Sequence, residues 1–559
     1  MEERPWFKFY DAGMPRTLHP YPACTLLDVL KETVRERPNH TAWIFKGARV
    51  TYAEMERLTD AFGAALVALG VQKGDRVALL MPNSPQAIIG QLGAWKAGAI
   101  VSPINPLYTG RELEYSLNEI GAETVVVLTS FYGKIKAIQP HTKVRRVIAT
   151  NIKEYLPPVL RLLFTLAKEK KEGHRIVLQP GDLWMGDLMK EHANAHPSVS
   201  VGPQDRAILL FSGGTTGTPK AALGTHQALV QAAMQLRAYA RTALNDWDDT
   251  LTLVMPMFHV YGNMALNTSL MARWPMAIVP NPRDIDDLVA TIEKARPAVL
   301  HGVPTLFIAL LNHPKIQAGK VDMTSLKICY SAAAPLMAET KHRFEALTGG
   351  RLLEAYAMTE TMLAAAVCPV KAAYKEGSVG IPLPDVEVRI VDADLGERDL
   401  LPGEVGEIII RAPQIMVGYW ESPTETANMI RDGWVYTGDL GYLDQDGYLF
   451  IVDRKKDLIK PGGFQVWPRE IEEVIATHPA VVEVSVAGVP DEYQGEVGKA
   501  WIVLRPGQQV TADEIKTYCR GKLAAYKVPK HIEFRDSLPK TMVGKVLRRE
   551  LVAEERKKA

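Results

Sequence analysis

At 559 residues the chain is too long for one ordinary hydrophobic core, so a large layered domain with at least one smaller unit is expected. A hydrophobic fraction of 47% against 23% charged residues argues against extensive disorder. The formal net charge of +1 leaves no electrostatic footprint for a polyanion, which argues against nucleic acid and points to small-molecule partners.

The opening stretch MEERPWFKFYDAGMP carries acidic residues and no apolar core, unlike a signal peptide. Cys24, Cys329, Cys368 and Cys519 are scattered, with no CxxC pair and no His/Cys cluster of zinc-binding spacing. A reducing, cytoplasmic setting is the expectation. From about residue 40 to 380, short apolar runs (RVALLMP, TVVVLTS, AILLFSG, AVLHGVP) alternate with longer helical stretches, the pattern of βαβ units and of doubly wound parallel sheets covered on both faces.

No run reaches the roughly 18 to 20 apolar residues that cross a bilayer. The nearest is YLPPVLRLLFTLAKEKKEG, residues 155–173, where Pro157 and Pro158 suit a helix start. Arg161, Thr165 and Lys168 share one face, the rest is apolar, and Lys170 and Lys171 follow. Two placements are open for it: a helix packed on its own domain, or one lying in the interface of a membrane's inner face.

FSGGTTGTPK, residues 211–220, comes directly after the apolar run AILL. Its glycines and hydroxyls form a loop whose N–H groups can wrap phosphate oxygens, with Lys220 adding charge. It is not a Walker A loop, because proline precedes Lys220 and alanine follows it. Beyond Gly380 the runs VEVRIVD, GEIIIRA and GYLFIVD predict a small β subdomain over about 381–453. After DRKKD, residues 453–457, a compact α+β unit follows: helical WPREIEEVIATHP, strands VVEVSVAGVP and KAWIVLRP, and TADEIKTYCRGKL with a capping box from Thr511 to Glu514.

The Ser/Thr/Gly-rich loop ending in Gly-x-Pro-Lys, YAMTE at 356–360, YTGD at 436–439, DRKKD at 453–457 and GK at 544–545 occur in that order. Together they resemble the adenylate-forming superfamily of acyl-CoA synthetases, luciferases and peptide-synthetase adenylation domains, over about Thr41 to Leu551. SGGTTGTPKAA, MPMFHVYG and DRKKDLIKPGGFQVWPREIE are most similar to long-chain fatty acyl-CoA synthetases, as is region 150–196 to a segment of bacterial fatty acyl members. No insertion follows the hinge, unlike ligases that stop at the adenylate.

The resemblance implies an N-terminal domain over 1–453, a hinge at 454–457 and a mobile C-terminal domain over 458–559. It implies ATP, Mg2+ and CoA as cofactor and co-substrates. A fatty acid would be activated to acyl-AMP with loss of pyrophosphate, then passed to the CoA thiol. By the same resemblance Thr215, Thr216, Gly217 and Lys220 belong to the phosphate loop, Thr359 contacts the α-phosphate, and Glu360 with Thr216 holds Mg2+. Tyr356 stacks on adenine, Asp439 takes the ribose hydroxyls, and Arg454 reaches ribose or phosphate. His259 lies beside the acyl carboxylate, Lys545 bridges carboxylate and α-phosphate, Lys456 is the swivel, and Gly462 and Gly463 meet the pantetheine arm.

Taken singly, these residues also have plainer readings as turn glycines, core aromatics or surface ion pairs. Ala355 and Ala357 depart from the family pattern, which has glycine on both sides of the tyrosine, and are expected to narrow the acyl entrance or shift the backbone. An aryl or medium-chain acyl-CoA ligase, or an inactive lipid- or nucleotide-binding relative, stays open. Oligomeric state is also open, a homodimer being one option.

Overall fold

The computed structural model describes residues 4–558 except 213–218, 335, 394–395, 462–465, 492 and 542–545. Thr215, Thr216, Gly217, Gly462, Gly463 and Lys545 therefore lie outside the described residues.

Two large sheets form the body. The eight-stranded sheet runs in the order Gly418–Tyr419, Lys220–Thr225, Arg206–Ser212, Ile100–Pro103, Arg76–Leu80, Thr124–Leu128, Arg146–Thr150, Leu183–Trp184, parallel from Arg206–Ser212 onward. The nine-stranded sheet runs in the order Ile381–Pro382, Leu363–Val367, Arg351–Met358, Ile328–Ser331, Val299–Gly302, Leu251–Leu253, Met276–Ile278, Thr41–Phe45, Ala48–Thr51. It is parallel from Arg351–Met358 to Thr41–Phe45 and antiparallel at its edges. The α/β expectation is met, with antiparallel edges that the alternation of runs did not signal.

Two helices join the sheets. Pro85–Lys96 follows a strand of the first sheet, Val260–Ala272 a strand of the second, and every residue of both is buried. Their sequences are mostly apolar or small, broken by Gln86, Gln91, Lys96, Asn263 and Asn267, which suits a helix enclosed by protein. They meet through the paired carboxamides of Gln91 and Asn263, with Asn263 Nδ2 donating to Gln91 Oε1 at 2.8 Å. Asn267 Nδ2 donates in turn to Asn263 Oδ1 at 3.1 Å, so a short chain of carboxamide hydrogen bonds runs along this seam.

The small antiparallel sheet holds Glu387–Val391, Gly406–Arg411, Trp434–Leu443, Ile430–Arg431 and Leu449–Arg454. Two pieces of the 381–453 stretch leave it: Ile381–Pro382 and Gly418–Tyr419 pair with the large sheets instead. The separate C-terminal domain packs Val481–Asp491, Gly495–Leu504 and His531–Phe534 against the helices Pro468–Ala476, Ala512–Arg520 and Arg548–Lys558, around its own apolar clusters. The capping box of Thr511 and Glu514 is present.

The 155–173 segment forms the helix Pro158–Ala167, and none of its residues is buried. Among the described residues no helix is long and apolar enough to cross a membrane.

Candidate active site

In parallel α/β sheets, ligands sit beyond the carboxyl ends of the strands, where loops from neighbouring strands converge. In the nine-stranded sheet that edge holds the turn after Leu251–Leu253, which leads to His259, and the turn after Arg351–Met358, which carries Thr359 and Glu360. Arg206–Ser212 of the other sheet ends where the glycine-rich loop begins.

Lys220 and Glu360 come together through a residue the sequence did not mark. The short strand Gly418–Tyr419 pairs with Lys220–Thr225, with Tyr419 opposite Ala222. Its hydroxyl donates to Glu360 Oε1 at 2.6 Å, and Lys220 Nζ lies 5.4 Å from the Tyr419 ring centre while pairing with Glu425. Thr359 and Glu360 are both buried. Burial, and then the negative charge of Glu360, push the Tyr419 phenol well above its usual range, so it stays a donor and fixes one carboxylate oxygen. The second oxygen of that carboxylate suits a hard cation. Among the described residues no group of three or more His, Cys, Asp or Glu is arranged to hold a metal ion by itself. Mg2+ typically takes one or two carboxylates plus phosphate and water oxygens.

Tyr356, Asp439 and Arg454 form a second group. Asp439 and Arg454 face each other on adjacent antiparallel strands, with Arg454 Nε 3.4 Å from Asp439 Oδ1, and Tyr356 donates to Asp439 Oδ2 at 2.6 Å. Gly438 has φ of 68°, a left-handed turn that suits glycine, and its N–H donates to Glu407 Oε1 at 3.1 Å. The Thr437 hydroxyl accepts from the Asp439 N–H at 3.0 Å and donates to the Ile408 carbonyl at 2.7 Å. Burial and the charge of Asp439 raise the Tyr356 phenol far above normal, so this pair holds a single negative charge beside the Arg454 guanidinium.

His259 caps the helix Val260–Ala272, its Nδ1 accepting from the Tyr261 N–H at 3.2 Å. The loop before it is held by buried Asn83, whose Nδ2 donates to the carbonyls of Leu253 (3.1 Å) and Met255 (2.9 Å) and whose Oδ1 accepts from the Met257 N–H at 2.8 Å. A Cβ at Gly262 would lie 2.2 Å from the Pro256 carbonyl oxygen, so the loop folds back on a position only glycine fills. Asn83 and Tyr419 are positioning residues that sequence reasoning missed, while Thr437 belongs to the YTGD run it marked. A lone Asn in PNSP or Tyr in VGYW carries no local signal.

Ala355 and Ala357 are half-buried, opposite Val367 and Ala364, and the register shifts between Tyr356 and Ala357. A one-residue irregularity is one way for a strand to carry methyl groups where glycine is the pattern.

After the strand Leu449–Arg454, Lys455–Asp457 is a 3-10 turn that carries Lys456. Asp453, buried just before it, accepts from the Arg469 N–H at 2.8 Å and lies 3.2 Å from Arg548 Nη1. Arg548 also meets Asp457 at 3.2 Å and Glu472 at 2.6 Å. Arg548 thus ties the end of the strand Leu449–Arg454 to the helix Pro468–Ala476.

Two large α/β sheets, a small antiparallel sheet and a separate C-terminal domain give the architecture of an adenylate-forming ligase. The family described as AMP-binding enzyme matches residues 30–420, and its C-terminal domain matches residues 470–545. The chain belongs to this family. It is similar to a long-chain-fatty-acid--CoA ligase of Bacillus subtilis (strain 168), 38% identical over 99% of this chain and 98% of that protein. A ligase of the same description from Escherichia coli O157:H7 is 36% identical over the same shares. Among solved structures, an ATP-bound RpMatB-BxBclM chimera shares 32% identity at a TM-score of 0.83, over 96% of this chain and 99% of that one. A fatty acyl CoA synthetase of Mycobacterium tuberculosis shares 28% at 0.72, over 95% and 98%.

Proposed function

We propose that this enzyme activates a long-chain fatty acid with ATP and transfers the acyl group to CoA. The observation that carries the reading is the convergence of two groups on the carboxyl end of the strand Arg351–Met358: the Tyr356–Asp439–Arg454 wall and the Glu360–Tyr419–Lys220 cluster. The relatives' descriptions supply the acyl class.

In the first step a carboxylate oxygen attacks the α-phosphorus of ATP, pyrophosphate leaves, and an acyl-AMP anhydride results. In the second, the CoA thiolate attacks the acyl carbon and AMP leaves. Tyr356 supplies a flat face for adenine, and Asp439 offers acceptor oxygens to the ribose hydroxyls while Arg454 neutralises charge beside them. Thr215, Thr216, Gly217 and Lys220 cradle the outer phosphates, and Thr359 donates to the α-phosphate. Glu360 and Thr216 would hold Mg2+, which when bound would offset phosphate charge. His259 orients the acyl carboxylate. Lys545 stabilises charge that builds in the first transition state. Rotation of the C-terminal domain about Lys456 then withdraws Lys545 and brings Gly462 and Gly463 to the pantetheine arm. Domain limits at 453 and 458 belong to the same reading, as does reversible contact with a membrane surface.

Pyrophosphate release, followed by CoA-dependent thioester formation, is to be measured over octanoate, dodecanoate, hexadecanoate, benzoate and phenylacetate. The expected order puts hexadecanoate and dodecanoate ahead in kcat/KM. A clear preference for the aryl acids or octanoate would overturn the long-chain assignment, and no turnover of any acid would favour an inactive binding protein.

A further inference from the structure

The helix Pro158–Ala167 is mounted in reverse. Val159, Leu162, Leu163 and Leu166 recur at i, i+3, i+4 and i+7 and make one stripe. They are 70%, 60%, 55% and 76% exposed, with Leu160 beside them at 41%. Arg161 and Phe164, on the other side, fasten the helix to the body. Arg161 donates to the carbonyls of Lys153 (Nε, 3.1 Å) and Glu154 (Nη2, 2.6 Å), and the Phe164 ring meets His174 edge-on at 5.4 Å. Just past the helix, buried Glu169 pairs with Lys153 at 2.5 Å.

A helix that serves its own core turns its leucines inward. Here a guanidinium and one phenyl ring hold the inner side, and the aliphatic stripe faces outward without protein cover. A contiguous apolar patch of this kind marks a docking surface. Its border is basic: Lys168, Lys170, Lys171 and Arg175 are exposed, and of the nearby acids Glu169 is committed to Lys153 and Glu172 lies 3.6 Å from Lys168. A second copy of the chain docked on this face would bring its own lysines against these. An anionic lipid surface complements both features, since acyl chains accept the leucines and headgroups accept the lysines.

We propose that the outward stripe of Pro158–Ala167, with Lys170, Lys171 and Arg175, docks the enzyme on anionic bilayers, where a long-chain acid partitions. The link to substrate supply rests on the fatty-acid reading above; the docking itself does not.

The full chain is to be sedimented with mixed phosphatidylcholine–phosphatidylglycerol vesicles, with pure phosphatidylcholine vesicles and without lipid. Binding to the mixed vesicles that weakens with salt is expected, and Leu162→Glu/Leu166→Glu should lower it by roughly tenfold or more, given the apolar area removed from contact. The same variant should keep the wild-type Tm and its turnover of dissolved octanoate. Equal vesicle binding by wild type and variant overturns the proposal, as does a lipid-independent dimer that the variant abolishes. Vesicle docking by an enzyme that prefers aryl acids would sink the substrate reading alone. Long-chain turnover without docking would sink this one alone.

Discussion

The two joints of this molecule are built from opposite materials. Between the large sheets, the buried helices Pro85–Lys96 and Val260–Ala272 sit in a continuous apolar core. Between the body and the C-terminal domain, the contacts around Asp453 are charges and hydrogen bonds: Arg548 to Asp453, the Arg469 N–H to Asp453, and Arg469 Nη1 to the Ile451 carbonyl at 2.6 Å. Separating the first joint exposes apolar surface to water, a cost that grows with area. Charged groups released from the second regain hydration, so that joint can break and re-form in one catalytic cycle. The rotation proposed for the C-terminal domain would need this difference.

The most direct way to break the comparison is Lys545→Ala. If the C-terminal domain serves the first step through this lysine and then withdraws it, acyl-AMP formation should slow by roughly 10² to 10³, about 2.7 to 4 kcal/mol. Thioester formation from presynthesised acyl-AMP should largely survive. Single-turnover assays of the two half-reactions check this, and equal damage to both would mean that the charged joint does not exchange partners.

Arg548→Met sharpens the same contrast. It leaves Asp453, Asp457 and Glu472 without their shared cation, and burial already pushes the Glu472 carboxyl up while Arg548 pulls it back. Breaking a buried ion cluster from one side is expected to cost about 3 kcal/mol. Calorimetry should show it in the C-terminal transition, and Arg548→Lys should restore only part of it, since an ammonium lacks the guanidinium fork. A loss confined to the transition of the body would contradict the placement of this cluster at the joint.

A smaller effect tests the dry joint. His301 is fully buried beside Tyr261 and Tyr330, its Nδ1 has no hydrogen-bond partner among the described residues, and burial lowers its pKa to about 3. The unfolded chain takes up this proton first, so the histidine's contribution is whole above about pH 6.5 and is lost as pH falls toward 3. By pH 5 the loss should be about 2 kcal/mol. His301→Phe should flatten that part of the stability profile between pH 7 and 5 in urea denaturation, and an unchanged slope would argue that water reaches the ring.

What the sequence by itself determined is local. Alternating apolar runs specify strands, Thr511 with Glu514 specifies a helix start, and the leucines of 158–166 specify a stripe, because each depends on neighbours within a few positions. The phosphate loop, YAMTE, YTGD and DRKKD were legible for the same reason, each being a compact run of unusual residues. Only the tertiary structure decided that Tyr419 holds Glu360, that Asn83 holds the His259 loop, and that Arg548 clamps Asp453. Those contacts join residues far apart in the chain and carry no local pattern. The leucine stripe makes the same point: periodicity shows that a helix has two faces, but which one meets water depends on what the rest of the chain presents to it. Here Arg161 found carbonyls on the body, and the leucines were left outside.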